Sequence, residues 1–369
     1  MANKMILANI LHRPIRTVVS ILAVAIEVTM VMLVVGLTRG LLDDAARRTQ
    51  GIGADVMVQP PNASFMFGLS SAPMSMKFGD LLLQVPHVLA VAPVLFQSNT
   101  LSGSGGLGVI FGIDMPSWNR VSGGFVYLKG GPFQGPDDVL VDDWYAKANH
   151  VKVGQTLNLL NQDFRVSGIV EHGKGSRLFI PLTTAQDLSE SRDKASIFFV
   201  KCTDPGYADD VVSLIRQKLP GYSIHSITDY MSEMTSSNLP ALNEFVVVLI
   251  AVAVCIGFLV IFLSMYTTIT ERTREIGILK SLGASKKFVL AIILREASIL
   301  CVAGIVAGYG GSLLARKLIN VSFPTLYVEL TIGWAVKAAG LALLGALLGS
   351  FYPAFRAAQL DPIDALAYE

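Results

Sequence analysis

Four long apolar segments constrain this chain more than any other feature of its sequence. They cover residues 18–37, 245–269, 297–314 and 332–351. Each is close to the length of about 20 apolar residues that lets a helix cross the hydrocarbon layer of a bilayer. Charged residues make up 15% of the chain, against roughly 25% in an average soluble domain. The sequence therefore predicts an α-helical membrane protein with four transmembrane helices.

The first segment is in the position of a signal peptide, but its sequence does not fit one. Its apolar run is longer than a signal-peptide core, and the sequence that follows, "GLTRGLLDDAARR", has no small-residue cleavage pattern. We therefore expect an uncleaved first span.

Basic residues beside the four segments predict their orientation. Lys4, Arg13 and Arg16 precede the first segment, and Arg356 follows the fourth. The stretch between the second and third segments carries Arg272, Arg274, Lys280, Lys286 and Lys287. Cytoplasmic flanks are enriched in Lys and Arg, so both termini are expected in the cytoplasm and residues 41–240 outside it. Arg316 and Lys317 lie on the outer side and run against this trend.

Residues 41–240 have the pattern of a folded domain. Strand-like stretches ("GADVMVQP", "HVLAVAPVLFQ", "SIFFVKC", "YSIHSI") and helix-like stretches ("DLLLQVP", "ADDVVSLIRQKLPG") form two β-α-β halves. Between these halves, residues 110–190 include the hairpin "QTLNLLNQDFRVSGIVE" and are predicted to be all-β. We expect a large extracytoplasmic α+β domain, a ferredoxin-like unit with a β-rich insertion. The domains are then 1–40, 41–240 and 241–369.

Motifs of metal, nucleotide or covalent chemistry are missing from the sequence. The five histidines lack metal-ligand spacing, and no GxxxxGK[ST] phosphate loop occurs. "HGKGSR" (172–177) lacks phosphate-loop spacing and is interpreted as a flexible turn. The net charge of +1 gives no reason to expect a nucleic-acid partner. The Met-rich stretch 65–78 could contact a partner or an apolar cargo, or could pack as an ordinary surface loop.

Several polar residues and glycines lie inside the apolar segments. Glu27 is near the middle of the first segment, where a charge is costly. It could serve as a cargo, proton or gating contact, or bond to another span or subunit. Snorkelling or pairing would explain Arg295 and Glu296. GxxxG pairs at Gly304/Gly308 and Gly345/Gly349 would allow close helix packing.

A charged stretch, "TERTREIGILKSLGAS", separates the second and third segments within the cytoplasmic loop 270–288. Its apolar Ile276, Leu279 and Leu282 have helical spacing, and Gly283 is a helix stop. A solvated loop that only satisfies membrane topology is one interpretation. A docking helix for a cytoplasmic partner is the other, and the mixture of both charge signs favours it.

This stretch resembles the cytoplasmic signature of MacB/FtsX-like ABC transporter permeases of the type VII, or mechanotransmission, class. The "REA" of the third segment and the tail "YPAFRAAQLDPIDAL" also resemble that family. The resemblance implies a permease with α-helical spans and a porter-type outer domain that works with an ABC ATPase. It places ATPase coupling on Glu271, Arg272, Arg274, Glu275, Gly277, Lys280 and Gly283.

The resemblance also implies a set of partners and a location. We expect a permease subunit of the bacterial inner membrane that is not itself an enzyme, with ATP and Mg²⁺ bound by an ATPase subunit in trans. A second permease copy or a paralogue, membrane lipid and a periplasmic adaptor are the other expected partners. Export, or extraction of a substrate from the membrane or periplasm, is the expected function. Regulation of an envelope hydrolase stays an alternative. A membrane-anchored ligand sensor is less favoured, because only eighteen residues follow Phe351.

Overall fold

The computed structural model describes residues 14–61, 73–100, 107–233, 240–323 and 325–361. The chain divides into two compact units. The helical unit comprises residues 1–40, 240–321 and 328–369, and the α/β unit comprises residues 41–239 and 322–327. The short segment 322–327, which the sequence grouped with the membrane helices, thus clusters with the α/β unit.

The elements follow one another in a simple order. Helix α1 (Pro14–Gly51) comes first. The strands are β1 (Val56–Gln59), β2 (Met74–Ser75), β3 (Val88–Thr100), β4 (Leu107–Ile113), β5 (Tyr127–Gly130), β6 (Asp138–Asp142), β7 (Thr156–Leu159), β8 (Gln162–Val170), β9 (Leu178–Pro181), β10 (Lys194–Ala195), β11 (Ile197–Cys202) and β12 (Ser223–Ser226). The helices among them are α2 (Lys77–Leu83), α3 (Met115–Ser122), α4 (Asp143–Ala148), α5 (Leu182–Leu188), α6 (Ala208–Lys218) and α7 (Ile227–Glu233). The helical unit continues with α8 (Pro240–Glu271), α9 (Thr273–Ser281), α10 (Lys286–Ser322) and α11 (Ile332–Gln359).

Four of the described helices, α1, α8, α10 and α11, are long and apolar enough to span a membrane. This confirms the four predicted spans, although the helices extend beyond them. Helix α1 continues past residue 37 to Gly51. Ion pairs Asp43–Arg47 and Asp44–Arg48 line this extension at i,i+4 spacing, a pattern that supports helices. Lys4, Arg13, residues 65–72 and the end of the tail from residue 362 lie outside the described residues.

Glycines bring the spanning helices close together. A Cβ on Gly304 would lie 2.6 Å from the Cβ of Val24, and one on Gly308 would lie 2.7 Å from the Ala25 carbonyl oxygen. The Thr29 hydroxyl also donates to the Gly308 carbonyl oxygen at 2.9 Å. On α11, a Cβ on Gly349 would lie 2.8 Å from a carbonyl oxygen of α8. Both predicted glycine pairs therefore lie in helix contacts, α1 with α10 and α8 with α11.

The α/β unit is built on one sheet with the strand order β12-β1-β11-β3-β4-β9-β6-β8-β5, and β7 pairs with β8. The predicted strands and helices of both β-α-β halves are present, as is the β7–β8 hairpin. Strands β2 and β10 form a separate two-stranded sheet. Strand β2 lies in the Met-rich stretch, just after its undescribed residues. The α/β domain with a β-rich insertion is therefore confirmed.

The insertion is not all-β, however. Helices α3, α4 and α5 lie within residues 110–190. Asp114 accepts a hydrogen bond from the Ser117 amide at 3.1 Å and starts α3, and Asp142 does the same for the Tyr145 amide at 2.6 Å and starts α4. Aspartate is a favoured residue at helix N-caps. These caps were readable in the sequence, and the prediction overlooked them in favour of the β-rich composition.

Candidate functional site

The charged stretch between the second and third spans forms the short helix α9. Arg272 occupies its N-cap position, and Leu282 its C-cap. Gly283 follows with φ of +94°, a left-handed conformation that glycine adopts without steric cost. The predicted helix and its glycine stop are both present.

One face of α9 is buried in the helical unit. Ile276 is 8% exposed and belongs to the same apolar cluster as Val289 of α10 and Ala357 of α11. Gly277, the next residue, is also buried. Burial of this face holds α9 against the spanning helices, so α9 is not a free solvated loop.

Arg272 ties the beginning of α9 to α10. Its Nε lies 3.0 Å from the Glu275 carboxylate, and its Nη1 lies 3.3 Å from that of Glu296. The side chains of Arg272 and Glu296 are only 15% and 10% exposed. Of the two explanations for Glu296, pairing is the correct one. Arg295, its neighbour, is exposed.

Lys280 ties the other end of α9 to α11. Its ammonium donates to the carbonyl oxygen of Ala358 at 3.1 Å and also to that of Leu360. These carbonyls belong to the end of α11, where the last carbonyls of a helix lack intrahelical partners and the helix dipole favours a cation. The sequence pattern could not identify these acceptors, because they lie about eighty residues further along the chain.

The opposite face of α9 is exposed. Arg274, Ile278 and Leu282 follow one another at i,i+4 spacing, which places them on one side of the helix. Ile278 is 46% exposed and Leu282 is 80% exposed. Arg274 is exposed and makes no ion pair with the part of the chain that the structure describes. Glu271 at the end of α8 and Glu275 are exposed as well. The predicted residues therefore fall into two groups, one bound to α10 and α11 and one facing outward.

A cavity of about 300 Å³ lies beside α9 within the helical unit. Its walls are mainly apolar and include Met265, Ile269 and Ile292, while Arg272 and Glu296 contribute polar groups. The cavity borders the buried face of α9, since Ile276 also lines it.

Glu27 lies in the contact between α1 and α8 and is only 6% exposed. A Cβ on Gly257 would lie 1.8 Å from Glu27 Oε2. The carboxyl group thus occupies space that α8 leaves open by having glycine there. Elsewhere in this contact, the hydroxyls of Ser20 and Ser264 are hydrogen-bonded at 2.6 Å. Sequence reasoning missed Gly257, because nothing local marks it as the partner of Glu27.

Two protein families match the chain in consecutive blocks. Residues 17–218 match the MacB-like periplasmic core domain, and residues 247–362 match the FtsX-like permease C-terminal domain. These two matches together cover most of the sequence, including the four spanning helices and α9.

Curated relatives align with nearly the whole chain. The macrolide export ATP-binding/permease protein MacB of Shewanella sp. (strain W3-18-1) is 26% identical in an alignment 398 positions long that covers 99% of this chain and 60% of that protein. MacB 1 of Aeromonas hydrophila subsp. hydrophila is 26% identical in an alignment 375 positions long that covers 94% of this chain and 57% of that protein. The chain thus spans about 60% of the length of these relatives.

Among solved structures, the periplasmic region of MacB from Actinobacillus actinomycetemcomitans aligns with 50% of this chain and 94% of its own, at 18% identity and a TM-score of 0.39. The four spanning helices and the periplasmic-domain match describe an inner-membrane protein with a periplasmic domain. The chain belongs to the MacB/FtsX-like family of ABC transporter permeases.

Proposed function

We propose that this chain is the permease subunit that couples ATP hydrolysis by a separate ABC ATPase to motion of its periplasmic domain, and that the motion drives export. One observation carries the proposal. Helix α9 is bound to α10 through Arg272 and to α11 through Lys280, while its other face presents exposed groups. A partner that pushes on the exposed face would displace both spanning helices through these contacts.

The exposed face of α9 has the composition of a docking surface. Two large exposed aliphatic side chains, Ile278 and Leu282, follow the charged Arg274 and Glu275. Apolar contact supplies binding energy, and charges across an interface select the partner, since like charges there cost several kcal/mol. We assign this surface to an ABC ATPase, with both termini of the permease on the same cytoplasmic side.

ATP and Mg²⁺ are assigned to that ATPase subunit. In such ATPases, the loop that cradles the phosphates has the sequence GxxxxGK[ST]. A second permease, either another copy or a paralogue, would complete a pair of subunits facing two ATPases. A periplasmic adaptor is a further proposed partner.

Export is preferred over regulation of an envelope hydrolase for two reasons. The curated relatives are named as macrolide exporters. The α/β unit also contains a groove of about 710 Å³ whose walls include Met76, Met115 and Phe133, with Asp80 and Asp193 among its lining residues. Such a groove offers both apolar and polar contacts to a cargo.

The test is to identify an ABC ATPase among the neighbouring genes and to purify the full chain together with it. We expect Arg274→Glu and Ile278→Asp to reach the membrane at wild-type levels, because both positions are exposed and contribute little to folding. Both variants should lose the ATPase, or keep ATP turnover and lose export. Arg192→Glu, at an exposed position of the α/β unit, is the control.

Two results would contradict the proposal. Complex recovery, ATP turnover and export could all stay at wild-type levels in Arg274→Glu and Ile278→Asp, in which case α9 is only a topological loop. Alternatively, an intact complex could activate a cell-wall hydrolase and export nothing, which would favour the regulator.

A further inference from the structure

The loop 172–177, "HGKGSR", holds the end of helix α1. The Gly175 amide donates to the Arg48 carbonyl oxygen at 2.9 Å, and Arg48 Nη1 lies 3.4 Å from the Gly175 carbonyl oxygen. A Cβ on Gly51 would lie 1.9 Å from the Gly173 carbonyl oxygen. The two backbones are therefore in direct contact. Both glycines of this predicted turn therefore contact α1 through their backbones.

Lys174 fastens the same loop to the domain behind it. Its ammonium donates to the Ser122 carbonyl oxygen at 2.6 Å, at the end of α3. Burial lowers the pKa of Lys174, which is the direction expected for a cation withdrawn from water. The loop is thus anchored on one side to the α/β domain and on the other to α1.

Arg177, at the end of the loop, joins three separate parts of the chain. One terminal nitrogen, Nη2, lies 3.1 Å from the Asp44 carboxylate of α1 and 3.1 Å from the carbonyl oxygen of Thr325. The other, Nη1, lies 3.6 Å from the Asp142 carboxylate at the end of β6. The guanidinium also lies over the ring of Trp144, 5.4 Å from its centroid.

The cluster around Arg177 contains two positive and two negative charges, so the loss of any one leaves a net charge. Arg48 and Arg177 carry two positive charges against the carboxylates of Asp44 and Asp142. The side chains of Arg177, Asp44 and Asp142 are 16%, 11% and 1% exposed. Removing one partner from a buried group of charges leaves another charge uncompensated, which is strongly destabilising. The planar guanidinium, shared between two acceptors and stacked on an indole, is not replaceable by an ammonium group.

Two of the segments that Arg177 contacts, those of Asp44 and Thr325, are direct continuations of spanning helices. Asp44 lies on the extension of α1, and Thr325 follows the end of α10 by three residues. In the helical unit, α1 also contacts the connection to α11, since the Glu329 amide donates to the Gly36 carbonyl oxygen at 2.9 Å. This hydrogen bond links α1 to the connection within the helical unit.

From these contacts we infer that the loop 172–177 is a clamp whose central residue is Arg177. The clamp transmits movements of α1 and of the α10–α11 connection together to the sheet of the α/β unit. The clamp itself rests on contacts within the α/β unit. Its role in transport rests on the proposed function. Arg177 acts as a positioning residue and needs no contact with cargo.

The clamp is tested by hydrogen exchange on the full chain in lipid nanodiscs. Arg177→Gln removes the charge, and Gly51→Ala forces the loop away from α1. In each variant we expect amide exchange to rise at least about tenfold in residues 44–51 and 325–327 together, with α9 unchanged. Arg192→Gln and Gly131→Ala are the controls, since Arg192 is 83% exposed and a Cβ on Gly131 would meet no atom within 4 Å. If exchange rises only in 172–177, or in only one of the two segments, the clamp does not exist.

A second measurement separates the clamp from the proposed function. In the complex with the ATPase, Arg177→Gln should retain ATPase binding and ATP turnover and lose export, and Arg177→Lys should not restore it. Should Arg177→Gln fail to fold, Gly51→Ala and Arg177→Lys provide the same comparison. Wild-type export by a folded variant whose two segments exchange fast would show that the clamp has no role in transport. Failure of the wild type to recruit any ATPase would instead overturn the proposed function, while the exchange result would still decide whether the clamp exists.

Discussion

The Lys280 ammonium donates a hydrogen bond to the Ala358 carbonyl oxygen across 3.1 Å, so helix α9 holds the last turn of α11. The family resemblance places Lys280 among the ATPase-coupling residues. Its hydrogen bonds to the end of α11 make it a connection between two helices of the permease. The distinction matters for mutagenesis, because a loss of export at Lys280 and at Arg274 would have different physical causes.

Replacing Lys280 by methionine should loosen the end of α11 without altering the exposed face of α9. The change deletes a cation at a helix C-terminus, an interaction that contributes about 0.3–2 kcal/mol depending on exposure. We expect a lower thermal midpoint and faster proteolysis after Gln359. Lys287→Met, at an exposed position of α10, is the comparison. Equal proteolysis in the two variants would show that Lys280 does not hold the end of α11.

Arg272 and Glu296 should behave as a coupled pair. Because both side chains are largely buried, Arg272→Met or Glu296→Gln alone leaves a buried partner uncompensated. The double variant leaves only the exposed Glu275 without its cation. A double-mutant cycle on unfolding free energy should give a coupling of about 1–3 kcal/mol. The exposed pair Arg192–Asp187 should give about 1 kcal/mol or less. Similar coupling in the two cycles would mean that Arg272 contributes no specific link to α10.

Gly308 and Gly310 provide a matched comparison on one helix. A Cβ on Gly308 would lie 2.7 Å from the Ala25 carbonyl oxygen, whereas a Cβ on Gly310 would meet nothing within 4 Å. Gly308→Ala should therefore force α1 and α10 apart and cost about 1–3 kcal/mol. Gly310→Ala should be neutral or stabilising by up to about 1 kcal/mol. Reversible unfolding in mixed micelles measures both, and equal effects would exclude close packing at Gly308.

Glu27 and Gly257 should show compensation. Gly257→Ala places a methyl group where the Glu27 carboxyl lies, so it should destabilise the fold, and Glu27→Ala in the same chain should restore much of the loss. Gly340→Ala is the control, because its Cβ would be in open space. Glu27→Gln keeps the shape and removes the charge. Normal stability with abolished export in Glu27→Gln would assign Glu27 a transport role in addition to packing.

The sequence predicted those features that depend on local patterns. Apolar length identified the spans, and the spacing of Ile276, Leu279 and Leu282 with Gly283 identified α9. The i,i+4 acid–base pairs beyond residue 37 could have revealed the extension of α1, but apolar length alone marked its end too early.

The direction in which each charged residue points was not predictable. Arg272 and Arg274 are the same residue type two positions apart, and one is 15% exposed while the other faces outward. Arg272 is buried because it pairs with Glu296, which lies on another helix. The same holds for Arg177, whose partners Asp44 and Thr325 are more than a hundred residues away in either direction. Contacts between distant segments leave no trace in a single local pattern.

The buried Asp142 should make the unfolding free energy fall as pH rises, which is unusual for a carboxylate. Burial raises the pKa of Asp142 to about 6, even though Arg177 and the Tyr145 amide act against this rise. Between pH 4 and 6 the unfolded chain loses its proton first, so the folded state loses stability as pH rises. Asp142→Asn removes this titration and keeps an oxygen for the cap on Tyr145. The unfolding free energy of the wild type relative to Asp142→Asn should therefore fall by up to about 3 kcal/mol from pH 4 to pH 7.

The neighbouring carboxylate provides the internal control for this prediction. Burial raises the pKa of Asp143, but hydrogen bonds from Lys147 and His172 outweigh burial and hold it below its usual range. A lowered pKa stabilises the folded state above the unfolded pKa, and this stabilisation is lost as the pH falls through the folded value. The difference between wild type and Asp143→Asn should therefore change with the opposite sign, at the acid end of the range. Chemical unfolding of full-length protein in micelles from pH 4 to pH 7 measures both differences. A wild-type advantage over Asp142→Asn that grows with pH would mean that the attraction of Arg177 outweighs burial, and would reverse the assignment.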